Sequence, residues 1–115
     1  MAVYSVGITS PDNGEVVTPD FTVVVEVGRT DNDVIKVLIA VDKNPPTDVY
    51  EPWVESSKGG PWLVCEQDTQ FHFHYAVTRA AGVYFVRARA SMTRQGSTWK
   101  DWKVDDQRIE VTVKS

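Results

Sequence analysis

Apolar and polar positions alternate along most of the chain. Phe21, Val23, Val25 and Val27 point one way, while Thr22, Val24 and Glu26 point the other. The period of two recurs in Ile35, Val37, Ile39 and Val41, opposed by Lys36, Leu38 and Ala40. It recurs in Phe71, Phe73, Tyr75 and Val77, opposed by His72 and His74, and again in Tyr84, Val86, Ala88 and Ala90, opposed by Phe85, Arg87 and Arg89. Successive strand side chains face opposite sides, so each run predicts a half-buried strand. No run carries the three-and-four spacing of an amphipathic helix. Strands are predicted over 3–9, 21–27, 34–41, 69–77 and 83–92. Val16-Val17 reads as an edge continuation and 62–65 as a short edge strand. A closing strand within 98–115 puts Ile109, Val111 and Val113 on one face.

Turn chemistry separates these runs. Ser10-Pro11-Asp12-Asn13-Gly14 stops the first strand, because Pro fixes φ while Asn and Gly accept positive φ. The polar stretch 28–32 turns the chain, as does Ala80-Ala81-Gly82. The stretch 42–60 is irregular: Asn44-Pro45-Pro46 does not fit a central strand, and Ser56-Ser57-Lys58-Gly59-Gly60 reads as a loop. About seven short antiparallel strands with regular turns predict an all-β sandwich of two sheets packed face to face.

Composition narrows the function classes. The 115 residues make one domain, 1–115, without an internal repeat. Sixteen acidic against twelve basic residues give a net charge of −4, a poor match to nucleic acid or anionic membrane. The single cysteine excludes a disulfide within the chain, and no apolar run is long enough for membrane insertion as a helix. Met1-Ala2-Val3-Tyr4 has neither the basic nor the apolar region of a secretory signal.

Three segments carry a resemblance. Ile8-Thr9-Ser10-Pro11-Asp12-Asn13-Gly14-Glu15-Val16-Val17 is similar to the opening "ITSPxNGxxV" of bacterial immunoglobulin-like modules. Val34-Ile35-Lys36-Val37-Leu38-Ile39-Ala40-Val41-Asp42 resembles their third strand, and Ala81-Gly82-Val83-Tyr84-Phe85-Val86-Arg87-Ala88-Arg89-Ala90 resembles the "AGxYxxxxRA" segment shared with fibronectin type III modules. The chain thus resembles a bacterial or phage immunoglobulin-like sandwich. The resemblance implies Tyr84 as a tyrosine corner, its hydroxyl bonded back to a turn, with Val25 and Ala88 standing where antibody domains carry cysteines. It implies no chemistry, since such modules serve as spacers, adhesins, sugar binders and virion decorations.

Candidate binding residues form two sets. Trp99 and Trp102 begin the closing strand, and Arg87 and Arg89 lie on the outward face of the preceding one. This is similar to the Trp–Arg ladder of cytokine-receptor modules, in which guanidinium planes stack on indoles. One reading is a ladder that stiffens the face; the other is a binding platform of Trp99, Trp102, Phe85 and Leu38. Tyr50, Trp53 and Trp62 fall in or beside the irregular stretch. Indoles there either stack on the C–H face of a sugar or pin an edge strand and its loop to the core. His72 and His74 share one strand face and offer two metal ligands, with Cys65 and Glu66 as further candidates, but zinc takes three or four. Asp31-Asn32-Asp33 and Asp105-Asp106 read as turn chemistry and match no EF-hand loop. No nucleophile elbow, phosphate loop or His-Glu-x-x-His motif is present.

The expectation is therefore a non-enzymatic module without cofactor or metal. It would work at a virion surface, as a phage decoration or tail protein, or in an extracellular or cell-surface assembly, against a protein surface or its own assembly. The alternative is a polysaccharide-binding module of a secreted glycoside hydrolase.

Overall fold

The computed structural model describes residues 3–29, 35–43, 61–93, 99–104 and 109–115. It holds ten strands among these residues: β1 (Val3–Ser10), β2 (Glu15–Val17), β3 (Asp20–Arg29), β4 (Ile35–Asp42), β5 (Leu63–Val64), β6 (Glu66–Gln67), β7 (His72–Thr78), β8 (Gly82–Thr93), β9 (Trp99–Val104) and β10 (Ile109–Val113). One sheet has the order β1-β3-β7-β6. The other runs β2-β10-β8-β4-β5, with β9 also paired to β8. All pairings are antiparallel except that of β2 with β10. This is the strand order of an immunoglobulin-like sandwich. The count exceeds seven for three reasons. The first strand switches sheets at the 11–14 turn and becomes β1 and β2, the 62–65 strand divides into the two-residue ladders β5 and β6, and the closing strand is two strands, β9 and β10.

The alternation read from the sequence becomes the core. Val23, Val25 and Val27 of β3 meet Val37, Ile39 and Val41 of β4, Phe73 and Val77 of β7, Tyr84, Val86, Ala88 and Ala90 of β8, and Val111 and Val113 of β10. Valine dominates because a β-branched side chain fills a pleated, buried surface without losing much rotamer freedom. Tyr84 closes one end of this core, and its hydroxyl donates to Ala80 O at 2.9 Å, the corner that the resemblance implied. Val25 and Ala88 are both fully buried. Counted from Tyr84, however, the corner's spacing puts the second cysteine position at Val86, not Ala88.

Several boundaries differ from expectation. β3 continues through Gly28 and Arg29, which pair with Ser5 and Val3, so the turn starts later than its polar composition implied. Arg29 is buried there and donates from Nη1 to Gln70 O at 3.1 Å. β7 begins at His72 rather than Thr69. Thr69 Oγ1 accepts from the N–H groups of both Phe71 and His72, a side-chain turn that competes with the ladder. Phe71, expected inside, is therefore 40% exposed. The 62–65 strand also splits. Leu63 and Val64 pair with β4, Cys65 N–H donates to Val37 O, and Glu66 and Gln67 then pair with β7 in the other sheet.

The switch turn is anchored from both sides. Gly14 N–H donates to Glu110 O at 2.7 Å, and Asn13 Oδ1 accepts from Glu110 N–H at 2.8 Å. Gly14 has φ +84°, a left-handed conformation that glycine adopts without strain. β1 enters beside Arg29 at the far end of β3, whereas Lys114 N–H bonds Val17 O beside the start of β3. The described chain thus enters at one pole and leaves at the other. The ten residues of β3 separate the poles by about 30 Å.

Candidate functional site

The outer face of the β2-β10-β8-β4-β5 sheet carries most of the candidate residues that the structure describes. Leu38 and Ala40 of β4 point away from the main core, as their alternation requires, yet both are fully buried. The cause is Trp62, which sits at 1% exposure and closes over them as a second, smaller core. Arg89 stands opposite Leu38 in the β4–β8 ladder, and its guanidinium carbon lies 5.5 Å from the Trp62 ring centre. The guanidinium therefore lies over the indole above an apolar base, a buried cation–π contact. Arg89 is itself fully buried.

This geometry corrects two expectations. Trp62 and Arg89 present no face to a ligand, and Leu38 is not part of an exposed platform. The stacked indole belongs to Trp62, 27 residues before Arg89 in the sequence, and no local pattern signals that pairing. Phe85 and Arg87 are half-buried on the same face, opposite Asp42 and Ala40 of β4. For Trp99 and Trp102 the structure describes the backbone of β9, where Trp99 pairs with Thr93 and Lys103 with Ala90. Phe85 lies eight residues down β8 from Thr93, about 26 Å at strand rise. Phe85 and Trp99 are thus at opposite ends of the strand and do not make one compact platform. Tyr50 and Trp53 lie outside the described residues, as do the acidic pairs at 31–33 and 105–106.

The other sheet displays a polar outer face. His72 Nε2 lies 3.2 Å from Glu26 Oε2, directly across the β3–β7 ladder, and His72 Nδ1 lies 3.1 Å from Thr69 Oγ1. His74 meets Glu66 Oε2 through Nε2 at 3.2 Å and Asp68 Oδ2 through Nδ1 at 2.7 Å. The ring nitrogens are spent on separate partners rather than converging on one point. Among the described residues no three metal-binding side chains gather. Cys65 is half-buried against the main core, and burial pushes its thiol up to about 12. A neutral thiol at physiological pH is a poor nucleophile and a poor metal ligand.

The class defined by these features is an all-β sandwich of two sheets in which Trp62, Phe73 and Tyr84 are turned inward. No family model matches the chain, and no curated protein matches it in sequence. Among solved structures it is similar to the endo-beta-1,4-mannanase from Thermotoga petrophila, at TM-score 0.56 and 13% identity. The likeness covers 95% of this chain and only 19% of that one, and it is a likeness of fold. No helix among the described residues is long and apolar enough to cross a membrane.

Proposed function

We propose that the protein is a non-catalytic spacing and interaction module of a larger surface assembly. The observation that carries the reading is the path of the chain, which enters at one pole of a stiff sandwich and leaves at the other. Modules with that path join end to end, and the valine core of two interlocked sheets keeps each one rigid. The burial of Trp62, Arg89 and Leu38 supports the structural reading of the aromatic face. The virion or cell-exterior setting rests on the sequence resemblance alone. Small-angle scattering from a two-copy fusion joined by a short linker tests the spacing role. The single chain is 45 Å along its longest axis. A fusion about twice as long supports the reading, whereas a pair folded back to the single-chain length overturns it.

The likeness to part of a mannanase favours a second reading, an accessory module that holds polysaccharide for an enzyme. Affinity electrophoresis through gels containing soluble β-1,4-mannan, cellulose derivatives or xylan tests it. Retardation by one polymer, suppressed by its free oligosaccharide, supports this reading. Unretarded migration in all of them removes it.

A further inference from the structure

The switch from β1 to β2 and the start of β3 enclose a groove of about 430 Å³ at the pole where the chain leaves. Its volume lies within the range of small-molecule sites, about 300–1,000 Å³. Buried Pro11 and Val17 form its floor together with the half-buried ring of Phe21. Glu15, Thr18, Asp20 and Thr22 stand along its rim, and no lysine or arginine lines it among the described residues.

The rim groups are held in place by the fold. Glu15 Oε1 accepts from Asp12 N–H at 2.9 Å, which leaves Oε2 turned to other donors. Asp20 Oδ1 accepts from the Thr78 hydroxyl at 2.7 Å across the ladder to β7. The Thr18 hydroxyl donates its proton to Asp20 O at 2.6 Å, so its oxygen offers a ligand lone pairs only. The groove thus pairs an aromatic and aliphatic floor with a rim rich in acceptors.

We infer that this groove is a binding subsite for a neutral oligosaccharide, a role that rests on the polysaccharide reading above. A pyranose offers both things the groove lacks: an apolar C–H face to lie on Phe21, and several hydroxyl donors for Glu15, Asp20 and Thr18. A single ammonium group would use one carboxylate and leave the other rim groups without a partner. An acidic sugar would meet two carboxylates, and no lysine or arginine is among the lining residues. The open shape suits a stretch of polymer that passes through rather than a closed-off chain end.

The test is an amide-shift NMR titration of the full chain with neutral β-1,4-linked manno- and gluco-oligosaccharides, oligogalacturonate and tetralysine. Phe21→Leu and exposed Glu15→Ala are the test variants, and Glu66→Gln on the opposite flank is the control. Melting curves confirm that each variant folds. The expected result is saturable shifts at Thr18, Asp20 and Thr22 with a neutral oligosaccharide only. Each test variant should bind roughly tenfold more weakly, as expected for losing one charge-assisted hydrogen bond or one stacking contact. Neutral sugar binding that both variants retain overturns the groove and leaves the polysaccharide reading standing. No binding of any saccharide overturns both. Shifts at these amides with tetralysine alone replace the sugar by a basic peptide.

Discussion

Removing the Trp62 side chain should destabilise the whole domain. The indole is 1% exposed and is the cover that keeps Leu38 and Ala40 dry. A buried aromatic side chain removes roughly 150–250 Å² from water. At about 25 cal/mol/Å² that comes to ~4–6 kcal/mol, an upper figure because an unfolded chain already hides part of this surface. Tryptophan-to-alanine truncations in cores cost about 3–5 kcal/mol. Loss of the ring face beneath Arg89 adds to the cost, since the guanidinium then lies in a cavity. We expect Trp62→Ala to lose about 4 kcal/mol. For a domain of this size that lowers Tm by roughly 15 °C. Trp62→Phe should lose about half as much, because a smaller ring still covers part of Leu38. Urea unfolding followed by far-UV circular dichroism measures both, with equal m-values required for the comparison. A loss below about 1 kcal/mol for the alanine variant would show that the indole is not the lid of a second core, and would return Trp62 to the set of ligand-facing residues.

Other positions give independent checks. Tyr84→Phe keeps the ring and deletes the donor to Ala80 O, so it should cost about 1 kcal/mol by the same unfolding assay. Gly14→Ala meets open space but must hold φ +84°, so it should cost about 1–2 kcal/mol from the backbone alone. Cys65 should react with a thiol reagent slowly in the native protein and rapidly in urea. Its pKa is raised by burial from the ordinary 9.0 to about 12, so above pH 9 the unfolded chain gives up a proton that the folded chain keeps. The thiol's contribution to stability is therefore intact below pH 9 and falls between pH 9 and 12, by at most about 1.4 kcal/mol per pH unit. Cys65→Ala should remove that slope, as alkaline melting curves of the two proteins would reveal.

The strands were most legible where one face is dry and the other wet. β3 follows its alternation because it has a single core to face. Leu38 and Ala40 show the limit of that logic. Their alternation places them outward, which is correct, but the pattern is silent about the indole that folds back over them from residue 62. β6 left no trace in the sequence, since Glu66 and Gln67 pair in a two-residue ladder too short for a period. Thr69 cut β7 short through a hydroxyl that serves two N–H groups, a contact that outweighs the apolar signal of Phe71. The Trp62–Arg89 stack joins residues from different strands, so no motif window holds both. The groove was equally hidden, because Phe21 alternates with Val23 and Val25 and nothing in the spacing of Glu15 and Asp20 joins them to it. Only the change of sheet at 11–14 brings them to one rim.

That same change of sheet decides how the domain bears load. Tension applied at Val3 and Ser115 draws β2 toward one pole and its neighbour β10 toward the other. The two strands are parallel and in register from Val111↔Glu15 to Val113↔Val17. Their hydrogen bonds therefore lie across the line of pull and must give way together. An antiparallel hairpin peeled from one end would release its bonds one at a time. A three-pair ladder thus acts as a shear pin, and the sandwich should resist stretching far more than its modest length of parallel pairing implies.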